Sequence, residues 1–323
     1  MMTTATIPGI HHITAIAGDP QRNLDFYTSI LGLRLVKLTV NFDDPGTYHF
    51  YFGNKVGSPG SILTFFPWPQ APRGVVGSGQ VTATTFAIPA GSAAYWRAHL
   101  SKHGVSATEA GERFGETVVA ISDPDGLPLE LVATRHANPG LAWQQSPVDR
   151  EHAICGFHSA TLSEEGYEQT ARLLTDTMGF SLVGNEGNRF RYQAGAGGAG
   201  AVVDVLCTPD GLLGRSGTGT VHHIAWRTPD DAQQLQWRSD LARRGYNVTP
   251  VVDRTYFHSI YYREPGGVLF EIATDPPGFA IDEPTDHLGE RLMLPHQYEA
   301  QRAALDRVLP RLTLPRTGSK VAR

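Results

Sequence analysis

The chain has 323 residues, a formal charge of −5 and 41% hydrophobic residues, enough to bury a full core and to divide into two domains. The mildly acidic balance and the absence of any Lys/Arg run argue against a nucleic-acid groove or an anionic membrane surface, leaving a small molecule as the expected partner. Cys155 and Cys207 make no disulfide framework and match no thiolate zinc spacing, the N-terminus lacks a signal-peptide pattern, and no stretch approaches the roughly 20 apolar residues of a membrane span, so a cytoplasmic location is expected.

The elements, taken in chain order, repeat. An apolar strand GIHHITAIA is followed by a helix that Asp19 caps, with Pro20 in its first position, apolar residues at Leu24, Tyr27 and Leu31, and Gly32 as its stop. Strands over 33–40, 48–52 and 61–66 complete one βαβββ unit. A second unit spans 80–133, with the helix GSAAYWRAHLSKHG ended by Gly104 and a last strand LPLELVA after the turn DPDG. The third spans 156–207, where DTMGFSLV echoes TSILGLRLV, and the fourth 220–274. Units two and four superpose at a constant offset of 141, which sets Gly104 on Gly245, Arg113 on Arg254 and Glu130 on Glu271. The expectation is an α+β fold of four βαβββ modules forming two paired-module half-barrel domains: residues 1–134, a linker 135–153, residues 154–276, and a tail 277–323 with an amphipathic helix in HQYEAQRAALDRVLP. The Gly/Ala run 194–201 reads as a hairpin tip, and the sheet edges of such modules suit a homo-oligomer.

A duplicated fold carries its own control, because residues that serve the fold recur and residues that serve chemistry need not. The first strand of module one holds His11-His12 and that of module four His222-His223, whereas the 141 offset puts Val81-Thr82 in module two, and GFHSATL of module three has only His158. Side chains alternate along a strand, so one imidazole of each pair faces inward. Glu271 lies in the apolar strand VLFEIAT, where a carboxylate is costly to bury without a cation or donors. Two imidazoles and a carboxylate with open coordination positions suit a non-heme Fe(II) oxygenase; the same ligands suit a catalytic zinc or nickel ion, and ligand type alone does not choose. Tyr261 has Ala120 as its counterpart and so stands apart from the fold, whereas the counterpart Arg113 weakens a purely catalytic reading of Arg254, and the counterpart Glu130 keeps a structural role open for Glu271 beside the favoured one as a ligand. Phe65, Phe66 and Trp68 read as core or pocket wall.

Together GIHHIT, TVHHIA, DRTYFHSIYYREPGGVLFEIATDPPGF and the tail GERLMLPHQYEAQRAAL resemble ring-cleaving dioxygenases of the vicinal oxygen chelate superfamily, in particular the hydroquinone dioxygenases, over nearly the whole chain. The resemblance implies Fe(II), with Mn(II) or Zn(II) as alternatives, held by His12, His223 and Glu271. It further implies an aromatic substrate with dioxygen, and roles beside the metal for His11, Thr14, His222, Arg254 and Tyr261. Catechol extradiol enzymes of the same superfamily pair modules three and four, which would select His158 in place of His12; His12 is preferred because HHIT copies HHIA and FHSA does not. A glyoxalase-like isomerase, which wants a fourth protein ligand, and a metal-free bleomycin-resistance-type binding protein are the alternative functions.

Overall fold

The computed structural model describes residues 6–315; the first five residues of the expected N-terminal domain and residues 316–323 of the expected tail lie outside the described residues. Module one supplies β1 (Ile10–Ala17), β2 (Arg34–Val40), β3 (Tyr48–Gly53) and β4 (Ile62–Pro67), and module two β5 (Gln80–Pro89), β6 (Thr108–Arg113), β7 (Glu116–Ser122) and β8 (Pro128–Thr134). Module three supplies β9 (Phe157–Glu164), β10 (Phe180–Glu186), β11 (Arg189–Ala194) and β12 (Val202–Cys207), and module four β13 (Thr220–Thr228), β14 (Val252–Asp253), β15 (Phe257–Arg263) and β16 (Leu269–Pro277). After each first strand comes a helix: α1 (Pro20–Asp25), α2 (Ala93–Lys102), α3 (Glu168–Arg172) and α4 (Asp231–Arg243). Asp19 accepts the Arg22 N–H at the start of α1, as the capping pattern predicts. The periodicity does not disclose that α1 and α3 run on into π turns, Phe26–Ile30 and Leu173–Thr177, each burying two adjacent large side chains.

The strands form two eight-stranded sheets, ordered β14-β15-β16-β13-β1-β4-β3-β2 and β10-β11-β12-β9-β5-β8-β7-β6. These are the two half-barrels, but they do not coincide with the consecutive stretches 1–134 and 154–276: modules one and four build one sheet, modules two and three the other. The reason is an unpaired edge. The first strand of a module pairs within its module only with the last strand, so its other edge seeks a partner; β1 meets β13, and β5 meets β9, antiparallel at the sheet centres. The crossing segments lie side by side, with bridges Arg73–Thr218, Val75–Arg215 and Ser78–Leu213. Gly200, in the expected hairpin tip, packs inward, accepting the Ile10 N–H and donating to the His158 carbonyl. A side chain at Gly9 would place its Cβ 2.6 Å from the Gly200 oxygen, which explains glycine there. No helix among the described residues is long and apolar enough to cross a membrane.

The expected tail helix is a 3-10 segment, His296–Gln301, running into a short α5 (Arg302–Val308). Its approach covers the outer strand β2, with the Met293 N–H donating to the Leu38 carbonyl, so that an edge otherwise open to other chains is closed. Fully buried Lys37 pairs with Asp282 and Glu283 of this segment.

Where module three meets the 264–268 turn of module four, Glu164 and Glu264 are both buried. Thr170 and the N–H groups of Gly266 and Val268 serve Glu264, whereas neither oxygen of Glu164 has a donor. Burial, then the neighbouring Glu264, pushes the Glu164 carboxyl up to about 8. The folded chain therefore keeps a proton that the unfolded chain releases, and stability falls as pH rises from the ordinary carboxylate range to about 8. Glu164→Gln is expected to melt with the parent near pH 5 and above it near pH 8.5; a gain of equal size at both values would remove this assignment.

Candidate metal centre

The centre of the first sheet sets β1 beside β13, with a register shift between Ile10 and His12, and alternation turns the second histidine of each pair onto the concave face. On β16, Glu271 sits level with Ala225 of the parallel strand β13, which brings its carboxylate beside His223. The Nε2 atoms of His12 and His223 are 3.3 Å apart, and Glu271 Oε2 lies 3.3 Å from the first and 3.0 Å from the second. All three side chains are buried, and Glu271 Oε2 has no hydrogen-bond donor of acceptable geometry. As edges of an octahedral face, separations of 3.0–3.3 Å correspond to ligand bonds of roughly 2.1–2.3 Å, close to those of divalent metals with nitrogen and oxygen. These three residues fit a metal ion.

The histidine pairs also settle which nitrogens converge. His11 Nδ1 is 2.9 Å from His12 Nδ1, and His222 Nδ1 is 2.8 Å from His223 Nδ1. With His12 and His223 donating through Nδ1, both Nε2 lone pairs point at Glu271 Oε2, an arrangement of three acceptors that a cation stabilises. Burial holds the His223 and His11 imidazoles below their ordinary range and so neutral at neutral pH. Between the imidazole nitrogens of His12 and His223, Glu271 Oε2 finds no donor. Ser259 donates to the other oxygen, Oε1. His11 packs behind the site against Phe257, whereas His222 stands at the cavity mouth against Phe66 and is open to solvent.

The cavity above the triad has a volume of about 360 Å³ and aromatic walls that include Phe42, Phe66, Trp68, Phe257 and Tyr261. A wider surface cleft of about 670 Å³ beside Gly104 and Pro124 holds none of the histidines or the carboxylate of the triad. Arg254 and Tyr261 both reach the cavity, joined by a 3.3 Å contact from Nε to the phenol oxygen. Burial raises the Tyr261 phenol well above its ordinary range and Glu271 adds to this, so it stays protonated. Thr14 bonds Thr64 at 2.9 Å, Thr64 bonds His49 Nε2 at 2.9 Å, and His49 Nδ1 bonds the Tyr51 hydroxyl at 3.0 Å. Sequence reasoning missed His49, Tyr51, Thr64, Ser259 and Asp43. The one available signal was the alternation in TYHFYFG, which sets His49 and Tyr51 on a single face.

The matching modules make the fourth corner of the site visible. Thr64 pairs with Thr14 and Tyr51 as Glu271 pairs with Ala225 and Tyr261, so Thr64 occupies in module one the place of Glu271 in module four. That corner carries a hydroxyl engaged with its neighbours, so the cluster offers three donor atoms. His158 lies elsewhere, in the second sheet, bonded to Ser159 and Glu116 at 2.9 Å each. Glu130 there is closed by Arg113 at 2.7 and 3.0 Å and by Thr85 at 2.9 Å. Among the described residues, the grouping of three His, Cys, Asp or Glu donors able to hold an ion is His12, His223 and Glu271.

Paired βαβββ modules curled around a two-histidine, one-glutamate cluster define the class of protein. The chain belongs to the Glyoxalase/Bleomycin resistance protein/Dioxygenase superfamily, whose model matches residues 9–131 and 156–272. It is 54% identical over 301 residues to MhqO of Bacillus subtilis (strain 168), whose name places it among ring-cleaving dioxygenases, covering 93% of this chain and 95% of that one. It is 36% identical over 315 residues to the chlorohydroquinone/hydroquinone 1,2-dioxygenase of Sphingobium indicum, covering 96% and 98%. A Bacillus subtilis crystal structure described as a dioxygenase superposes with a TM-score of 0.91 at 51% identity, over 97% of this chain and all of that one. Glyoxalase I from Zea mays, at 12% identity and a TM-score of 0.61 over 83% and 92%, shares the fold.

Proposed function

We propose that the protein is a cytoplasmic, non-heme Fe(II)-dependent dioxygenase that opens the ring of hydroquinone or a substituted hydroquinone beside a hydroxylated carbon, in the extradiol manner. The observation that carries this reading is the convergence of three acceptor atoms at the floor of an aromatic cavity, with a threonine at the corner where a fourth ligand would stand. A glyoxalase-like isomerase would want that fourth ligand, and a metal-free binding protein would leave the acceptor cluster without a purpose. The relatives named for ring cleavage and for hydroquinone point the same way.

His12, His223 and Glu271 hold the metal, which when bound supplies a centre where an electron-rich ring and dioxygen are brought together. The protein does the rest by position. Aromatic walls orient the ring and exclude water. Tyr261, kept protonated, donates from its hydroxyl to the oxyanion that develops on the substrate, and Arg254 supports that charge. His222, open to solvent at the mouth, presents its Nε2–H as a hydrogen-bond donor, while buried His11 orients His12 through Nδ1. Thr14 is fixed by Thr64 and His49 as a hydroxyl contact for the substrate.

The test is oxygen consumption by anaerobically purified, Fe(II)-loaded protein given hydroquinone, methylhydroquinone or catechol. Uptake with the hydroquinones and a ring-opened product support the proposal; no uptake with any dihydroxybenzene at full iron loading overturns it. Tyr261→Phe is expected to lower turnover about 100-fold with iron content within twofold of the parent, a loss at the lower end of those seen on removing one oxyanion donor. Equal loss of iron and turnover would count against its role as donor.

A further inference from the structure

Modules two and four carry the same arginine and the same glutamate and use them in opposite ways. Arg113 and Glu130 stand 141 residues before Arg254 and Glu271. Each arginine precedes a residue in the left-handed region, Phe114 at φ 48 and Thr255 at φ 68, which are the two such non-glycine residues among the described ones. The residue after the arginine is therefore left-handed in both modules, while the position after it is left-handed only in module two, at Gly115. Each glutamate also has an equivalent partner across the strand, Ala120 opposite Glu130 and Tyr261 opposite Glu271.

In module two the guanidinium closes on the carboxylate in a two-pronged pair, with Nη1 and Nη2 of Arg113 at 2.7 and 3.0 Å from Glu130. In module four it does not. Arg254 gives Nε to the Tyr261 hydroxyl at 3.3 Å and Nη1 to Asp43 at 3.1 Å, and Glu271 Oε2 is left to the histidines. Two hydrogen-bond partners of the arginine are found only here. Tyr261 replaces an alanine, and Asp43 reaches over from the 41–47 loop of module one. That loop is itself held: the Tyr298 hydroxyl of the tail donates to the Phe42 carbonyl at 2.8 Å, and Trp68 Nε1 donates to Asp44 at 2.9 Å. A guanidinium–carboxylate fork is among the strongest side-chain pairs and would compete directly with a cation for Glu271.

We propose that Tyr261 and Asp43 restrain Arg254 from closing on Glu271, so that the carboxylate stays available to a metal ion; without them module four would collapse into the metal-free ion pair that module two contains. The inference rests on the metal reading of the triad. It makes Asp43, at the rim of the cavity, a positioning residue that acts through Arg254, and it explains how a repeated Arg–Glu pair serves structure in one module and chemistry in the other.

The experiment is an anaerobic titration of metal-free, full-length protein with Co(II), followed by visible absorption and by competition with a chelator. Tyr261→Ala, which copies module two, is expected to weaken Co(II) binding about tenfold or more, within the 10- to 100-fold range of supporting residues around metals, and Asp43→Asn by a smaller factor. The decisive variant is Tyr261→Ala with Arg254→Met, expected to regain affinity to within about threefold of the parent because the competing cation is gone. If the double variant stays as weak as Tyr261→Ala, or if Tyr261→Ala binds like the parent, the restraint is overturned. Should Tyr261→Ala fail to fold by circular dichroism, Asp43→Asn alone and with Arg254→Met carries the test, with weaker Co(II) binding expected in the first and recovery toward the parent in the second; equal affinity in both would overturn the restraint. Failure of the parent to bind Co(II) is a different result, which overturns the metal reading of the triad and the restraint with it.

Discussion

Glu271→Ala is expected to lower divalent-metal affinity by about 100-fold or more and to abolish oxygen uptake, while the metal-free protein stays at least as stable as the parent. The two halves of this expectation come from one geometry. Glu271 Oε2 is buried among two imidazole nitrogens with no donor, so without a cation the carboxylate is an unsatisfied charge whose removal relieves the fold. With a cation the same three atoms become its ligands, and losing one removes the charged member of the set. Glu130→Ala is the internal control. Its residue occupies the same position in module two but is neutralised by Arg113, so the variant is expected to keep its metal and lose stability through an uncompensated arginine. Metal content and oxygen-electrode rates on both variants decide it: equal metal loss from Glu271→Ala and Glu130→Ala would show that the first sheet is not the metal site. His12→Ala and His158→Ala make the matching pair, with activity lost only in the first.

Lys37→Met is expected to cost about 3–5 kcal/mol of stability, the penalty of leaving one member of a buried ion pair alone. The Lys37 side chain is 0% exposed and that of its partner Glu283 is 1% exposed, so neither charge has water to fall back on. The pair ties the segment after β16 to the outer strand of the first sheet, and through Tyr298 that segment also steadies the 41–47 loop at the cavity. Urea unfolding checks the magnitude, and adding Glu283→Gln should return much of the loss by removing the stranded charge. A cost under about 1 kcal/mol for Lys37→Met would mean that the tail is held by its apolar contacts and the Leu38 bridge alone.

Much of the site was legible because its residues break the repeat. His11-His12 and His222-His223 have no counterpart in module two, and Glu271 interrupts an apolar strand, so local pattern exposed them without any long-range information. His49, Thr64 and Ser259 were not legible for the opposite reason: single polar residues in alternating strands look like ordinary wall positions until the neighbouring strand is known. Asp43 sits in a turn, where an aspartate has a local explanation in the sequence, and only its contact across modules gives it another. The tail helix is shorter than the apolar spacing of 296–310 predicts, because its first half is a 3-10 segment, His296–Gln301, ahead of α5.

By itself the sequence determined the module, its four copies, and the inward histidines with one costly carboxylate, since strand and helix periodicity and the burial of charge are local properties of the chain. Only the tertiary structure decided which modules share a sheet. A βαβββ unit announces that its first strand has a free edge, but not whose edge will fill it, because that choice rests on complementary surfaces far apart in the chain. The pairing of β1 with β13 brought His12 to His223 and Glu271, sent His158 to the other sheet, and carried Asp43 over to Arg254.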